Sequence, residues 1–583
     1  MKTGNSDSQL PKLLIALVAL AAHTCSADSL QTSWLTNYSG QYARIYSNAS
    51  AQSSGSAAAT WNNGTQSQTL PAYVGVQEID SSSNWVYIRT TGLGIHVMGA
   101  WQAGFPNLPA NQKSLYRFPR TNTVPTFKTS NGGGVIGYFI DGVAMFNSWD
   151  AFYWNGSADV SSTGTNIGYW NRDAYVNEGA TFDPAYAHQQ NTGTYHYHAD
   201  PIALRYLVGD HVDYNSSAKT YSESTNAVTK HSPLLGWVAD GFPVYGPYGY
   251  SNPTNPASGV RRMVSGYVIR NGQYGTDNLT AIGRQTIPAW AVRLYTNVTA
   301  NQTGPAVSSS YPLGRYMEDN DYLGDHGYVQ GVDFDLDQYN GRFCYTPEYP
   351  AGTYAYFVSI SSNGTPTFPY NIGRGFYGSP TGTNVTLITE SVTTNFVGGP
   401  GASPLLAAPG WSNNTVTLVW SATEGGTYQV LSSSNLSSWT TNANNISAVK
   451  ISGSYSGASP NSSEFFRVAR TSLASYDPVA TTSYGITSIS PTNASAGSTF
   501  TLTINIASSV SPPPAMAPIN SVMLGSINGT SNNHVSSNQV TSSITIPGGT
   551  ASGPQNVYVT FPGPPGNQSN TVTYYLLNGF TIN

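Results

Sequence analysis

The chain has 583 residues, a formal net charge of −5 at pH 7 and only 9% charged residues. A single hydrophobic core is not expected at this length, and the negative charge disfavours nucleic acid as a partner because nothing offsets repulsion from phosphates. The many Tyr, Gly, Pro, Ser, Thr and Asn residues favour strands and turns over helices, and they predict an all-β protein.

The first 27 residues have the pattern of a signal peptide. Two lysines precede an apolar run, 13–22, which is too short to span a bilayer but suits the core of an export signal. The small residue Ala27 offers a cleavage site, and a lipoprotein anchored through Cys25 is the alternative. We therefore predict a secreted, extracellular protein with signal peptide 1–27 and no transmembrane segment in the mature chain. Cleavage leaves Cys344 without a disulfide partner in the chain, which predicts a buried thiol.

Residues 28–395 hold most of the His, Asp and aromatic residues and are predicted to form one large β-rich domain. Within it, Thr194-Tyr-His-Tyr-His198 alternates strictly, so in a strand His196 and His198 face one side and the two tyrosines the other. Their Cα atoms would lie about 6.5–7 Å apart, which lets both imidazoles reach one metal ion. His188, eight residues upstream, can fold back across a turn as a third ligand. Three imidazoles suit Cu or Zn, and the alternative is an aromatic surface strand with solvated histidines.

Three further residues of this domain are candidates for supporting the site. Asp240 could orient one of the histidines and fix its tautomer, or it could serve only as the first residue of an Asp-Gly turn. His231 and His326 are additional candidate ligands.

An acidic stretch, 317–338, carries seven carboxylates and no Lys or Arg. Crowded carboxylates repel one another, so they require a cation or wide separation in solvent. Asp333, Asp335 and Asp337 alternate before the turn Asn340-Gly341, which loosely matches a Ca²⁺ loop. The sequence thus raises a possible Ca²⁺ site, with a solvated acidic loop as the alternative.

Motifs of several common enzyme classes are missing from the sequence. It contains no Walker loop, no His-Glu-X-X-His and no Gly-X-Ser-X-Gly. The run Gly132-Gly-Gly-Val-Ile-Gly137 fits Gly-X-Gly-X-X-Gly, but it leads into a strand-like segment and not a helix. We therefore expect no nucleotide cofactor.

Two smaller β modules are predicted after residue 395. Residues 396–476 contain alternating segments separated by turns, such as Thr415-Val-Thr-Leu-Val-Trp420, and resemble immunoglobulin or fibronectin III β-sandwiches. Residues 484–583 begin with a Pro and Gly entry and end with a late Phe, and they resemble an IPT/TIG domain. Such modules typically serve as spacers or adhesion surfaces.

The histidine run and several later blocks resemble the YHYH-domain family of secreted bacterial proteins. The resemblance extends over about 190 residues and is carried by His188, 193–201, 231–247, 336–342, 346–357 and 368–373. It implies a β-rich extracellular domain and no established reaction. Tyr339 stands where many members carry a cysteine, so a family disulfide is not implied for this chain.

Three functional hypotheses follow. The first is a secreted multidomain β-protein with a histidine-based divalent-metal site and C-terminal adhesion or spacer modules. The second is an extracellular enzyme that acts on polysaccharide through that metal or through an Asp/Glu pair. The third is an adhesion protein whose tyrosines bind a cell-surface glycan or another extracellular polymer without turnover. The sequence leaves open whether the protein is an enzyme.

Overall fold

The computed structural model describes residues 28–583 apart from 63–65, 103–106, 163–168, 297, 389, 391, 460–463, 480–482, 508–517, 551 and 563–571. The predicted signal peptide, residues 1–27, lies outside the described residues.

Strands dominate the described residues, which confirms the all-β prediction. The α-helices are short: Ser29–Thr32, Ala49–Ser54, Ala174–Glu178, Ile202–Leu207, Leu279–Ile282 and Ala289–Leu294. The 3₁₀ turns are Thr36–Tyr38, Gly179–Thr181, Met317–Asp319, Leu323–His326 and Gly399–Gly401. No helix among the described residues is long and apolar enough to cross a membrane.

An eight-stranded sheet forms the centre of the large domain. In chain order its strands are β1 (Val135–Phe139), β2 (Ala144–Phe146), β3 (Ala187–Gln189), β4 (Tyr195–Tyr197), β5 (Leu234–Val238), β6 (Pro243–Tyr245), β7 (Gly341–Cys344) and β8 (Thr353–Phe357). Their spatial order is β3-β4-β2-β1-β5-β6-β8-β7. The pairs β4–β2 and β6–β8 are parallel and the other neighbours are antiparallel.

A five-stranded sheet packs against the central sheet. Its spatial order is Thr383–Asn384, Ser114–Pro119, Trp85–Thr90, Val76–Ser81 and Thr393–Val397. One continuous hydrophobic cluster joins the two sheets, and the rings of Tyr116 and Tyr138 meet across it with centroids 5.1 Å apart. Cys344 is buried in this cluster, as predicted.

Smaller sheets surround this core. A three-stranded sheet has the order Asn171–Asp173, Trp149–Trp154, Asp159–Ser161. The two-stranded pairs are Ile45–Tyr46 with Met98–Gly99, Val212–Asn215 with Thr220–Glu223, Tyr248–Asn252 with Asn255–Arg262, and Tyr267–Ile269 with Asn320–Tyr322.

The described residues after 400 form four sheets around two separate hydrophobic clusters. Around the first cluster lie Gly410–Ser412, Thr415–Ser421 and Ser452–Ala458, and then Thr440–Ser447, Gly426–Ser433 and Phe465–Leu473. Around the second lie Ser483–Tyr484, Val572–Ile582, Gly553–Phe561, Ser521–Leu524, Ile527–Asn528 and Asn493–Ala494, and then Ile486–Ser490, Thr499–Ile506, Gln539–Thr545 and Thr530–Ser536. The boundaries 396–476 and 484–583 stay predictions.

Candidate metal centre

A tight hairpin brings the three predicted histidines together at one edge of the central sheet. Strands β3 and β4 pair antiparallel with His188 opposite His196, and His198 follows directly after β4. The connecting turn needs Gly193, which has φ +78° and whose added Cβ would lie 3.0 Å from Ala110. Because the side chains of β4 alternate, its two tyrosines enter the main hydrophobic cluster and leave the histidines on the opposite face.

The three imidazoles form a compact and buried group. Their ligand nitrogens all lie within 4.8 Å of one another. Among the described residues, no other group of three or more His, Cys, Asp or Glu side chains is clustered closely enough to hold a metal ion. The His196 ring stacks on Phe146 with centroids 3.8 Å apart, which fixes its plane. The predicted convergence of the three histidines is therefore present in the fold.

Backbone carbonyls fix the tautomers of His196 and His198. Nδ1 of His196 lies 2.9 Å from the Thr194 carbonyl oxygen, and Nδ1 of His198 lies 2.6 Å from that of Asn147. A carbonyl only accepts, so each Nδ1 carries the hydrogen and each neutral ring presents a lone pair at Nε2. These two Nε2 atoms face each other at 3.0 Å. Two lone pairs at this distance repel unless a cation lies beside both.

The side chain of Thr181 fixes the same tautomer in His188. The Thr181 hydroxyl donates to the Glu178 carbonyl oxygen at 2.7 Å, so its oxygen is left to accept from Nδ1 of His188 at 2.8 Å. All three rings therefore turn Nε2 toward one point, and each Nδ1–H is held from behind. This is the arrangement that metal-binding histidines usually have.

Burial keeps the imidazoles neutral. Loss of solvation lowers the pKa of His198 to about 4, and loss of solvation together with the neighbouring His198 lowers that of His188 to about 2. The pKa of His196 falls well below its ordinary value for the same reason, with His188 and His198 adding to the effect. A proton is thus disfavoured between the facing nitrogens near pH 7, and neutral imidazole is the form that binds metals.

Glu178, which the sequence did not indicate as a site residue, lies at the rim of the group. It ends the helix Ala174–Glu178, and its Oε2 is 3.5 Å from Nε2 of His198 and 3.7 Å from Nε2 of His188. Its side chain is 28% exposed. Burial, with a smaller contribution from Asp150, raises the pKa of this carboxyl to about 8.

A cleft of about 410 Å³ opens onto the histidines and Glu178. Its walls combine aromatic rings with uncharged hydrogen-bonding side chains, among them Trp149, Phe152, Asn107, Gln189, Gln190 and Asn191. A ligand in this cleft would contact the three-histidine group directly.

The predicted supporting residues lie elsewhere. The Asp240 carboxylate accepts from the Tyr356 hydroxyl at 2.6 Å and from the backbone N–H groups of Gly378 and Phe242. These contacts fit the turn alternative, and the orienting role in the histidine group falls instead to Thr194, Asn147 and Thr181.

His231 and His326 also have surroundings of their own. Nδ1 of His231 lies 2.7 Å from the Ser232 carbonyl oxygen, and its ring packs against Tyr245 and Tyr250. Nε2 of His326 lies 3.2 Å from Asp321. Neither ring joins the three-histidine group among the described residues.

The three aspartates of the possible Ca²⁺ loop do not converge on one point among the described residues. Asp335 receives two guanidinium hydrogen bonds from Arg261, at 2.6 and 2.8 Å. Asp333 accepts from the Val329 N–H, and Asp337 accepts from the Tyr354 hydroxyl and from the N–H groups of its own turn. Each carboxylate has separate protein partners, and the possible Ca²⁺ site at Asp333, Asp335 and Asp337 stays a prediction.

Local sequence contained little that could have identified the missed residues. Asp183 is the carboxylate nearest to His188 on its N-terminal side, yet it faces away and binds the Tyr195 hydroxyl and the Gly99 N–H. Glu178 lies ten residues before His188, and Asn147 lies 51 residues before His198. Only the tertiary fold brings these groups to the hairpin.

The fold and the site define a β-rich protein with a buried three-histidine group beside an open cleft. Residues 115–369 match the family model described as YHYH protein. The match includes the whole histidine hairpin and confirms the resemblance to the YHYH family for this region. It does not extend to residues 396–583, whose likeness to immunoglobulin, fibronectin III and IPT/TIG modules stays a prediction. No curated protein matched the chain.

Proposed function

We propose that the protein is a secreted, multidomain β-protein that holds one Cu or Zn ion through Nε2 of His188, His196 and His198. The observation that carries the proposal is the pair of Nε2 atoms that face each other at 3.0 Å while both Nδ1 hydrogens are held by carbonyl oxygens. Cu and Zn fit because they bind neutral imidazole well, whereas Ca²⁺ prefers oxygen. The C-terminal modules serve as spacers or attach the protein to a surface.

Elemental analysis tests the metal assignment. Full-length protein is loaded with Zn²⁺ or Cu²⁺, dialysed and measured for metal per chain. We expect one ion in the wild type and a loss of stoichiometric metal in a His196→Gln/His198→Gln variant. His326→Gln is the matched control, since this histidine lies outside the group and should leave the content unchanged. Equal metal in the double variant and the wild type would reject the assignment.

Secretion is part of the same proposal and rests on the pattern of residues 1–27. N-terminal sequencing of protein recovered from the culture medium of an expressing host would test it. We expect the mature chain to begin near Asp28, and retention of the uncleaved chain inside the cells would contradict secretion.

A second candidate function is an extracellular enzyme that acts on polysaccharide. The cleft favours it, because aromatic rings such as Trp149 and Phe152 suit sugar rings while the amides at its rim suit hydroxyl groups. Glycan depolymerisation that a chelator suppresses would favour a metal-dependent enzyme. Activity that is indifferent to chelator would favour Asp/Glu chemistry, and glycan binding without turnover would favour an adhesion protein.

A further inference from the structure

The Glu178 carboxylate is positioned by the same segment that positions His188. Asp173 caps the N-terminus of the helix Ala174–Glu178: its side chain accepts from the Val176 N–H at 3.1 Å and from the Tyr370 hydroxyl. The segment continues into the 3₁₀ turn Gly179–Thr181, so Glu178 and Thr181 both approach the histidines from this one element. The fold therefore places Glu178 beside the three-histidine group.

The distances from Glu178 to the histidines are not those of hydrogen bonds. Its Oε2 lies 3.5 Å from Nε2 of His198 and 3.7 Å from Nε2 of His188, both longer than a normal hydrogen bond. Burial raises the pKa of Glu178 to about 8, so a bound cation would displace a proton from this group, and the resulting carboxylate only accepts. Nε2 of each of these histidines presents a lone pair because Nδ1 carries the hydrogen. An oxygen and nitrogens that all offer electron pairs to one small volume form a donor set for a cation.

We propose that Glu178 is a fourth protein donor to the ion held by His188, His196 and His198. The inference rests on the metal site proposed above and adds an anionic oxygen to its three neutral nitrogens. Three neutral imidazoles leave both charges of a divalent ion uncompensated in a buried site, and one carboxylate removes half of that charge. Asp150 does not supply this charge, because its carboxylate is paired with Arg172 at 2.6 Å.

The position of Glu178 also indicates where a further ligand would enter. Its side chain is 28% exposed and lines the cleft together with the three histidines. Because all four donors line the cleft, water or an oxygen-bearing ligand can reach from the cleft any coordination position that they leave open.

Copper binding to the full-length chain tests the role of Glu178. We compare wild type, Glu178→Gln and Glu348→Gln by competition titration and by electron paramagnetic resonance after loading with one equivalent of Cu²⁺. Glu348 is the matched control, because it is also a partly buried glutamate, it accepts a hydrogen bond from Tyr245 at 2.7 Å, and it lies just beyond β7 at the other end of the sheet.

We expect Glu178→Gln to weaken Cu²⁺ binding about 100-fold or more, beyond the about 10–100-fold typical of changes outside the ligand set. Its Cu²⁺ spectrum should also change, since an oxygen donor is lost, while Glu348→Gln changes neither property. Unchanged affinity and spectrum in Glu178→Gln would overturn the inference and leave the three-histidine site intact. Absence of Cu²⁺ binding by the wild type would overturn both.

A measurement on the wild type alone keeps the inference testable if Glu178→Gln fails to fold. The infrared difference spectrum between the Zn²⁺-loaded and metal-free protein reports a carboxylate that becomes bound to metal. We expect one metal-bound carboxylate stretching band to appear at one equivalent of Zn²⁺. Zn²⁺ binding without such a band would contradict the role of Glu178.

Discussion

The sequence suggests cation sites in both the histidine hairpin and the acidic stretch 317–338. In the fold, the histidines converge on one point, whereas several of the carboxylates pair separately with arginines. In the hairpin, β3 and β4 turn three Nε2 atoms toward one point and supply hydrogen-bond acceptors behind them. In the acidic stretch, arginines from other parts of the chain reach the carboxylates individually. Arg284 pairs with Asp319, Arg293 with Asp325 and Arg261 with Asp335.

The difference shows which kind of site short-range spacing can predict. The three histidines span eleven residues and lie in one hairpin, so their convergence depends on one turn and one register. The carboxylates and their arginines are 32 to 74 residues apart, and no local pattern announces those pairs. A run of like charges therefore indicates that cations are needed without showing whether they are metal ions or guanidinium groups.

The largest predicted effect comes from removing a buried ion pair of the acidic stretch. The Arg284 guanidinium donates to Asp319 at 2.6 and 2.7 Å, and both side chains are fully buried. Arg284→Gln leaves a buried carboxylate without its cation, so we expect a loss of about 3–5 kcal/mol in the free energy of unfolding. Denaturant unfolding of metal-free protein measures it.

Arg293→Gln is the control for this experiment. Arg293 pairs with Asp325 in the same bidentate way, but its side chain is 46% exposed. Solvent screening should keep its loss below about 1 kcal/mol. Equal losses for the two variants would contradict the assignment of Arg284 as a buried counterion.

A second prediction concerns the pH dependence of stability at His96, which contacts the face of β4 opposite the three histidines. Nε2 of His96 lies 2.9 Å from the Tyr195 hydroxyl, and burial lowers the pKa of His96 from 6.5 to about 4. As the pH falls, the imidazole of His96 binds a proton in the unfolded chain before it does so in the folded chain. The contribution of the neutral imidazole to the free energy of unfolding is therefore complete above pH 6.5 and is lost toward pH 4. Relative to His96→Gln, the wild type should lose about 3 kcal/mol between pH 7 and 4 in denaturant unfolding. A pH-independent difference between the two would contradict a buried neutral imidazole.

A third prediction compares the two regions by metal addition. Zn²⁺ at 100 times its dissociation constant should raise the free energy of unfolding by about 2.7 kcal/mol, because it binds only the folded hairpin. Ca²⁺ at millimolar concentration should have no such effect, because Asp335 is already paired with Arg261. Thermal unfolding with each ion measures both effects. Stabilisation by Ca²⁺ that Asp335→Asn removes would restore the calcium interpretation.

The smallest predicted effect concerns the support of one ligand. Thr181→Val removes the oxygen that accepts from Nδ1 of His188. Losing such a contact behind a ligand typically costs about 10–100-fold in metal affinity, and we expect a loss in that range by competition titration. Thr181→Ser keeps the hydroxyl and should bind as the wild type does. Equal affinity for Thr181→Val and wild type would show that the contact does not orient the ring.

The amino-acid composition and the alternation of residues 194–198 predicted the fold class and the orientation of the histidines. The shortage of charged residues predicted the strand-rich fold, and the alternation of residues 194–198 predicted which face carries the histidines. The order of the central sheet was not predictable, because it collects segments from residue 135 to residue 357 and contains parallel pairs. The role of Asp240 was not predictable either, because its hydrogen-bond partner Tyr356 is 116 residues away in the sequence.

The most direct test of the central claim is X-ray absorption at the metal edge of full-length protein loaded with one equivalent of Zn²⁺. We predict a first shell of nitrogen and oxygen at about 2.0–2.1 Å with the outer-shell scattering of about three imidazole rings. That scattering should disappear in His196→Gln/His198→Gln. A Zn²⁺ shell without imidazole scattering, or the same spectrum in both proteins, would contradict a metal centre at this hairpin.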